Sequence, residues 1–96
     1  MAALSKAEIR ETLKKMPEWS LAGNAIHRKF ALKSFMLAIA FVNKIAEAAE
    51  QANHHPDITI NYSQVSISLS THSESGVTQK DFKLAEVIDK IYGSGS

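Results

Sequence analysis

Between Pro56 and His72 apolar and polar residues alternate in two successive runs: Ile58, Ile60 and Tyr62 against Thr59 and Asn61, then Val65, Ile67 and Leu69 against serines. Successive side chains on a strand point to opposite faces, so each run buries one face and wets the other. Two such runs call for an antiparallel sheet with one covered and one solvated side. The pattern also occurs earlier in the chain. Trp19 and Leu21 alternate with polar neighbours, Gly23-Asn24 supply turn chemistry, and Ile26, Phe30 and Leu32 resume the alternation.

Helical segments frame these two hairpins. Ser5-Lys6-Ala7-Glu8 has the form of a capping box, and Ile9, Leu13 and Met16 recur at helical spacing until Pro17 stops the helix. From Ser34, an N-cap, Phe35, Ala38, Ile39, Val42, Ile45, Ala46 and Ala49 make one apolar stripe, which Phe41, Ala48 and Ala52 widen. Thr78-Gln79-Lys80-Asp81 opens a last helix with an acidic third residue, and Phe82, Ala85, Ile88, Ile91 and Tyr92 form its buried face. The order α-β-β-α-β-β-α predicts the α+β class: two layers, a four-stranded antiparallel sheet with helices packed on one face. The 96-residue chain suits a single domain over residues 1–92, and Gly93-Ser94-Gly95-Ser96 reads as a flexible tail.

Eleven basic and ten acidic residues give a net charge of +1, with no basic cluster longer than a pair, so no direct nucleic-acid partner is expected. Cysteine is absent, which removes disulfides, thiolate metal sites and cysteine nucleophiles. The N-terminus lacks a signal-peptide apolar region, and the run from Phe35 to Val42 is too short to span a bilayer. A cytoplasmic protein without membrane contact is the expectation.

Three of the four histidines fall in two short motifs, Asn53-His54-His55-Pro56 and Thr71-His72. A two-residue turn at Ser63-Gln64 would pair Tyr62 with Val65, Ile60 with Ile67 and Ile58 with Leu69. Extended outward, that register sets His55 opposite His72, with β-carbons roughly 4.5 to 5.5 Å apart, and His54 flanking them. Imidazole, with an unperturbed pKa of about 6.5, exchanges protons near neutrality. Where several converge, protonating one disfavours the next, so a base and an acid can coexist in one site. Zinc is the chemical rival, because three imidazoles can hold it, although adjacent His54 and His55 would point apart if both were extended. His27 lies away from the cluster and reads as structural or exposed. Asp81 reads first as a helix-capping carboxylate, Glu50 as a solvated residue, Pro56 as the stop of the long helix, and Trp19 as either core or pocket wall.

The run Glu50-Gln51-Ala52-Asn53-His54-His55-Pro56, then Asn61-Tyr62 leading to Val65, Leu69-Ser70-Thr71-His72, and Gly76 through Asp81 with Leu84-Ala85, resembles the pterin-4a-carbinolamine dehydratase family. The likeness extends from Trp19 to the last helix. It implies a four-stranded antiparallel sheet with helices on one face. The implied activity is that of a lyase, 4a-hydroxytetrahydrobiopterin dehydratase, which converts 4a-hydroxytetrahydropterin to quinonoid dihydropterin and so recycles the cofactor of aromatic amino-acid hydroxylases. No metal and no organic cofactor are implied, and the assembly would be a homodimer or homotetramer. The family's catalytic histidines fall on His54, His55 and His72, its acidic helix residue on Asp81 and its glutamate before the histidine pair on Glu50, the last two as supporting groups. Pterin binding falls on His54, His55, Pro56, Thr71, His72, Ser73 and Glu74. On this likeness His54 and His72 are the acid-base pair and His55 orients the substrate, whereas the hairpin register favours His55 as the neighbour of His72. The sequence departs from an animal member at Ser73 and Ser75, where that member has an acidic residue and an alanine, and at Asp57-Ile58, where it has a more aromatic pair. Animal members also serve as a dimerisation cofactor for a homeodomain transcription factor through the long helix, which makes such a partner a rival function. A small zinc-binding module is a third.

Overall fold

The two alternating runs after Pro56 become adjacent strands, β3 (Asp57–Asn61) and β4 (Gln64–Leu69), and the earlier pair becomes β1 (Ser20–Ala22) and β2 (Ala25–Ala31). The structure, a computed structural model, describes residues 3–95. Helices α1 (Lys6–Leu13), α2 (Phe35–Ala52) and α3 (Gln79–Gly95) complete it, with a 3-10 turn at His72–Glu74. All strand pairs are antiparallel, and the spatial order is β1-β2-β4-β3. The expected α+β architecture is therefore the observed one. Strands β2 and β4 occupy the centre, which places the ends of β4 and of the α2–β3 connection beside one another.

Ile26 and Phe30 of β2 and Val65, Ile67 and Leu69 of β4 are buried on one face, in a single core with Ala38, Phe41 and Ile45 of α2 and Phe82, Ala85 and Ile88 of α3. Burying side chains of this size contributes roughly 1.5–3 kcal/mol each relative to exposure. Trp19 is core: its ring meets Phe30 edge-on, and its Nε1–H donates to both carboxylate oxygens of Asp89 at 3.0 Å. Arg28 takes a place on the same covered face. Its guanidinium lies over the Phe30 and Tyr92 rings and reaches Asp89 at 2.8 Å, so the cation is paired where the sheet is otherwise apolar.

The hairpin register differs from the sequence expectation by two residues. Ile60 pairs with Val65, Ile58 with Ile67 and Asp57 with Ser68, and the connection is Tyr62-Ser63, with Tyr62 at a left-handed φ of 55°. A shift of two preserves which face each side chain takes, because strand periodicity is two. It does not preserve partners: continued outward, this register brings His55 alongside Ser70, not His72. Tyr62 lies in the turn and is 72% exposed.

Other boundaries move for local reasons. Ser5 and Glu8 form the expected capping box, but α1 ends at Leu13, and Lys15 and Met16 close with tighter bonds to the carbonyls of Thr12 and Leu13 before Pro17 is reached. In α2 the buried line is Ala38, Phe41, Ile45 and Ala49, while Phe35, Ala46 and Ala52 are exposed. The covered stripe is thus rotated toward Phe41. Helix α3 continues through Gly93 to Gly95, past the boundary read at Tyr92; Ser96 lies outside the described residues.

Candidate active site

Helix α2 ends where its sequence runs out of helix-compatible geometry. Asn53 adopts the left-handed conformation (φ 50°, ψ 44°), its N–H bonds Glu50 O, and the His54 N–H bonds Ala49 O. This pair of bonds is a Schellman closure, which asparagine tolerates better than most residues. Pro56 then keeps the chain extended into β3. The turn delivers His54 inward and leaves His55 exposed.

Inside, Nε2 of His54 meets Oδ1 of Asp81 at 2.5 Å; the His54 side chain is 11% exposed and Asp81 is fully buried. The other oxygen, Oδ2, accepts from the Thr71 hydroxyl at 2.9 Å and from the Thr78 N–H at 2.8 Å. The hydroxyls of Thr71 and Thr78 are 2.8 Å apart, and the Lys80 N–H donates to Thr78 Oγ1. A carboxylate only accepts, which fixes the direction throughout: Lys80 N–H to Thr78, Thr78 O–H to Thr71, Thr71 O–H to Asp81. Nε2 of His54 is accordingly the protonated nitrogen, leaving Nδ1 with the free lone pair in the neutral ring. Among the described residues no buried side-chain nitrogen or oxygen lacks a partner.

The remaining expected residues divide. His55 Nε2 pairs with Glu50 Oε2 at 2.5 Å on the surface, with side chains 58% and 77% exposed, so the contact orients the ring but adds little stability. His72, also exposed, begins the 3-10 turn, which is closed by paired bonds between Thr71 and Gly76 and by Ser75 at a left-handed φ of 56°. Thr71 is buried in the Asp81 network, Pro56 and Glu74 are half-buried, and Ser73 is exposed.

The structure does not place the three imidazoles in one cavity. His72 opens into a polar hollow of about 370 Å³ that also contains His27, Asp57, Ser68 and Ser70. His54 lines a separate, more apolar cleft of about 370 Å³ between α2 and α3, with Gln51, Lys80, Leu84 and Val87. Asp81 and Thr71 connect the two, and the His55-Pro56 segment runs from the cleft to the hollow. Among the described residues no group of three His, Asp or Glu side chains comes together in a way that could hold a metal ion.

Two roles were missed in the sequence. Thr78 is visible there as a helix start but not as the partner of Thr71, a contact made only when α3 packs beside the end of β4. His27, read as remote from the cluster, shares the hollow of His72 because β2 pairs with β4 across a crossover.

An antiparallel α+β sandwich with a buried carboxylate holding one imidazole, and a second imidazole one residue beyond the same hydrogen-bond network, defines a class of small proteins with a carboxylate–histidine site. Comparison with known proteins narrows the class. Residues 2–91 match the family described as "Pterin 4 alpha carbinolamine dehydratase". A protein of Chloroflexus aurantiacus is 53% identical over 97% of this chain and 100% of its own length, and one of Herpetosiphon aurantiacus is 46% identical over 98% of both; each is named "Putative pterin-4-alpha-carbinolamine dehydratase". The crystal structure of a transcriptional coactivator/pterin dehydratase from Brucella melitensis superposes with a TM-score of 0.91 at 36% identity, covering 95% of this chain and 99% of that one. A pterin dehydratase-like protein identified as a RuBisCO assembly factor shares the fold at a TM-score of 0.66 and 22% identity, covering 79% of this chain and 88% of its own. The chain belongs to the pterin-4a-carbinolamine dehydratase family.

Proposed function

We propose that the protein dehydrates 4a-hydroxytetrahydropterin to quinonoid dihydropterin and water. The observation that carries this reading is the buried Asp81–His54 pair, joined through Thr71 to the backbone of His72. The reaction breaks the C4a–O bond and removes a proton from the adjacent ring nitrogen, so it needs one acid and one base on a held planar substrate. His54 is the base: Nδ1 takes the proton, and Asp81 stabilises the imidazolium that results. His72 is the acid, delivering a proton to the departing hydroxyl so that water leaves. The pterin lies across the His55-Pro56 rim between cleft and hollow, with His55 oriented by Glu50. Backbone groups from Thr71 to Glu74 bind its edge.

Cofactor recycling in the cytoplasm, by a homodimer or homotetramer, completes the proposal. No helix among the described residues is long and apolar enough to cross a membrane. Phe35, Met36 and Leu37 at the start of α2 are exposed and suit self-association. The test is dehydration of a 4a-hydroxytetrahydropterin by the purified protein. Acceleration well above the spontaneous rate supports the reading, and a rate equal to the spontaneous one contradicts it.

A further inference from the structure

Ahead of α1 the chain runs past Val77, and the Leu4 N–H donates to the Val77 carbonyl at 2.8 Å. The same peptide unit, on its other side, donates the Thr78 N–H to Asp81 Oδ2 at 2.8 Å. A peptide unit is planar, so Leu4 and Asp81 grip opposite sides of one rigid plate. Val77 is also joined directly to Gly76, which closes the His72 turn by accepting from the Thr71 N–H at 2.8 Å and donating to the Thr71 carbonyl at 3.4 Å. Leu4 is itself anchored twice. Its side chain packs against the core, and the next residue, Ser5, is locked to α1 by its reciprocal bonds with Glu8. Ala3 lies against the turn as well: a β-carbon added at Gly76 would stand 3.1 Å from that of Ala3, so glycine leaves room for the approach.

We propose that Leu4 is a positioning residue, its N–H holding the turn that carries His72 at a fixed place relative to the Asp81–His54 pair. The proposal rests on the dehydratase reading above, in which His72 protonates the departing hydroxyl. His54 is held by its own bond to a buried carboxylate, whereas His72 is exposed and its place follows the backbone of its turn. That turn is stiff within itself. The Glu74 and Ser75 N–H groups bond the Thr71 and His72 carbonyls, and Ser75 takes its left-handed φ of 56°. A stiff turn moves as a body about its ends. Thr71, at one end, is tied to Asp81 through its hydroxyl; at the other, the Leu4 bond fixes the orientation of the Val77–Thr78 peptide. Without Leu4 that peptide is free to rotate about the Thr78–Asp81 bond, and the turn ending at Gly76 rotates with it. His72 then shifts while His54, on the other carboxylate oxygen, stays.

The experiment measures kcat of the full chain toward a 4a-hydroxytetrahydropterin well below the thermal midpoint, with circular dichroism reporting the fold of each variant. Leu4→Pro lacks the N–H and should lower kcat about tenfold or more, since misplacing a reacting group by about 1 Å costs on the order of 10²-fold. Leu4→Ala keeps the N–H and trims the side chain; it should lower the urea midpoint yet hold kcat within about twofold of wild type, less than a misplaced group costs. In a His72→Ala background Leu4→Pro should lower kcat less than about twofold further, because residues that act as a unit are not additive. Gly76→Ala crowds Ala3 and is relieved by a shift of a few tenths of an ångström. It should lower kcat about threefold, in proportion to that shift, and adding Ala3→Gly should restore it.

A folded Leu4→Pro protein with the wild-type kcat, or one whose full loss persists when His72 is already alanine, overturns the positioning role while wild-type turnover upholds the dehydratase reading. If Leu4→Pro does not fold, Gly76→Ala decides: a wild-type kcat, or a loss that Ala3→Gly does not restore, overturns the role. Absence of turnover by the wild-type protein overturns the dehydratase reading and the positioning role together.

Discussion

The Asp81 carboxylate and the His54 imidazole, 27 positions apart, meet at 2.5 Å with the carboxylate fully buried. Asp81 thereby performs two tasks with its two oxygens. Oδ2 closes the first turn of α3 by accepting from the Thr78 N–H, as a capping-box residue does. Oδ1 holds an imidazole on another element. One side chain ties the end of α2, the end of β4 and the start of α3 into a single point.

Asp81→Asn keeps the shape but not the polarity of that point. Three donors converge on Asp81, from His54, Thr71 and Thr78, and an amide has only one oxygen. Whichever way it turns, a donor faces its NH₂ group. The variant should lose about 1–3 kcal/mol of stability, read as a lower urea midpoint at unchanged slope. Its kcat should fall about tenfold or more, since His54 is no longer held in one tautomer. Thr78→Val is expected to cost about 1 kcal/mol as a lost N-cap, with Thr78→Ser close to wild type.

Asn53 sets the direction in which His54 enters the site. Its left-handed backbone favours Asn or Gly over any β-branched residue. Asn53→Gly should leave urea stability within about 0.5 kcal/mol of wild type, whereas Asn53→Val should cost about 1–2 kcal/mol. If the turn also positions His54, the Val variant will lose kcat as well, and the Gly variant will not.

Glu8 gives the fold an acid-sensitive joint. The Ser5 backbone N–H, and then its hydroxyl, hold the Glu8 carboxyl below its ordinary value. A group whose folded pKa is depressed stabilises the fold above its unfolded pKa, and that contribution is lost as pH falls through the folded value. The thermal midpoint should therefore drop between ordinary glutamate titration and stronger acid by more in the wild type than in Glu8→Ala. Parallel profiles for the two proteins would remove the capping box as the cause.

What the chain announces about itself is mostly periodicity. Val65, Ile67 and Leu69 specify a covered face, and the same face survives a two-residue change of register. Partners across the hairpin are not protected in this way. Tyr62 turns with φ 55° although nothing in Asn61-Tyr62-Ser63-Gln64 marks it above the alternative at Ser63-Gln64. The opposition of His55 and His72 that the alternative turn predicts is therefore absent, and the observed register continues from His55 toward Ser70. Capping signals read well at Ser5, Ser34 and Thr78, because each depends on residues three or four apart. The Asp81–His54 contact and the polar hollow that contains His27, Ser68 and Asp57 depend on how α3 and β2 pack around β4, which local spacing does not encode.

The central claim is that His54 and His72 act together as base and acid on a 4a-hydroxytetrahydropterin. Single-turnover decay of that substrate, followed by its ultraviolet absorbance with wild type, His54→Ala and His72→Ala, tests this most directly. Each variant should slow the catalysed decay by on the order of 10²–10⁴-fold while retaining the wild-type circular dichroism spectrum. Folded variants that both decay the substrate within about threefold of wild type, far less than loss of a general acid or base produces, would contradict the account.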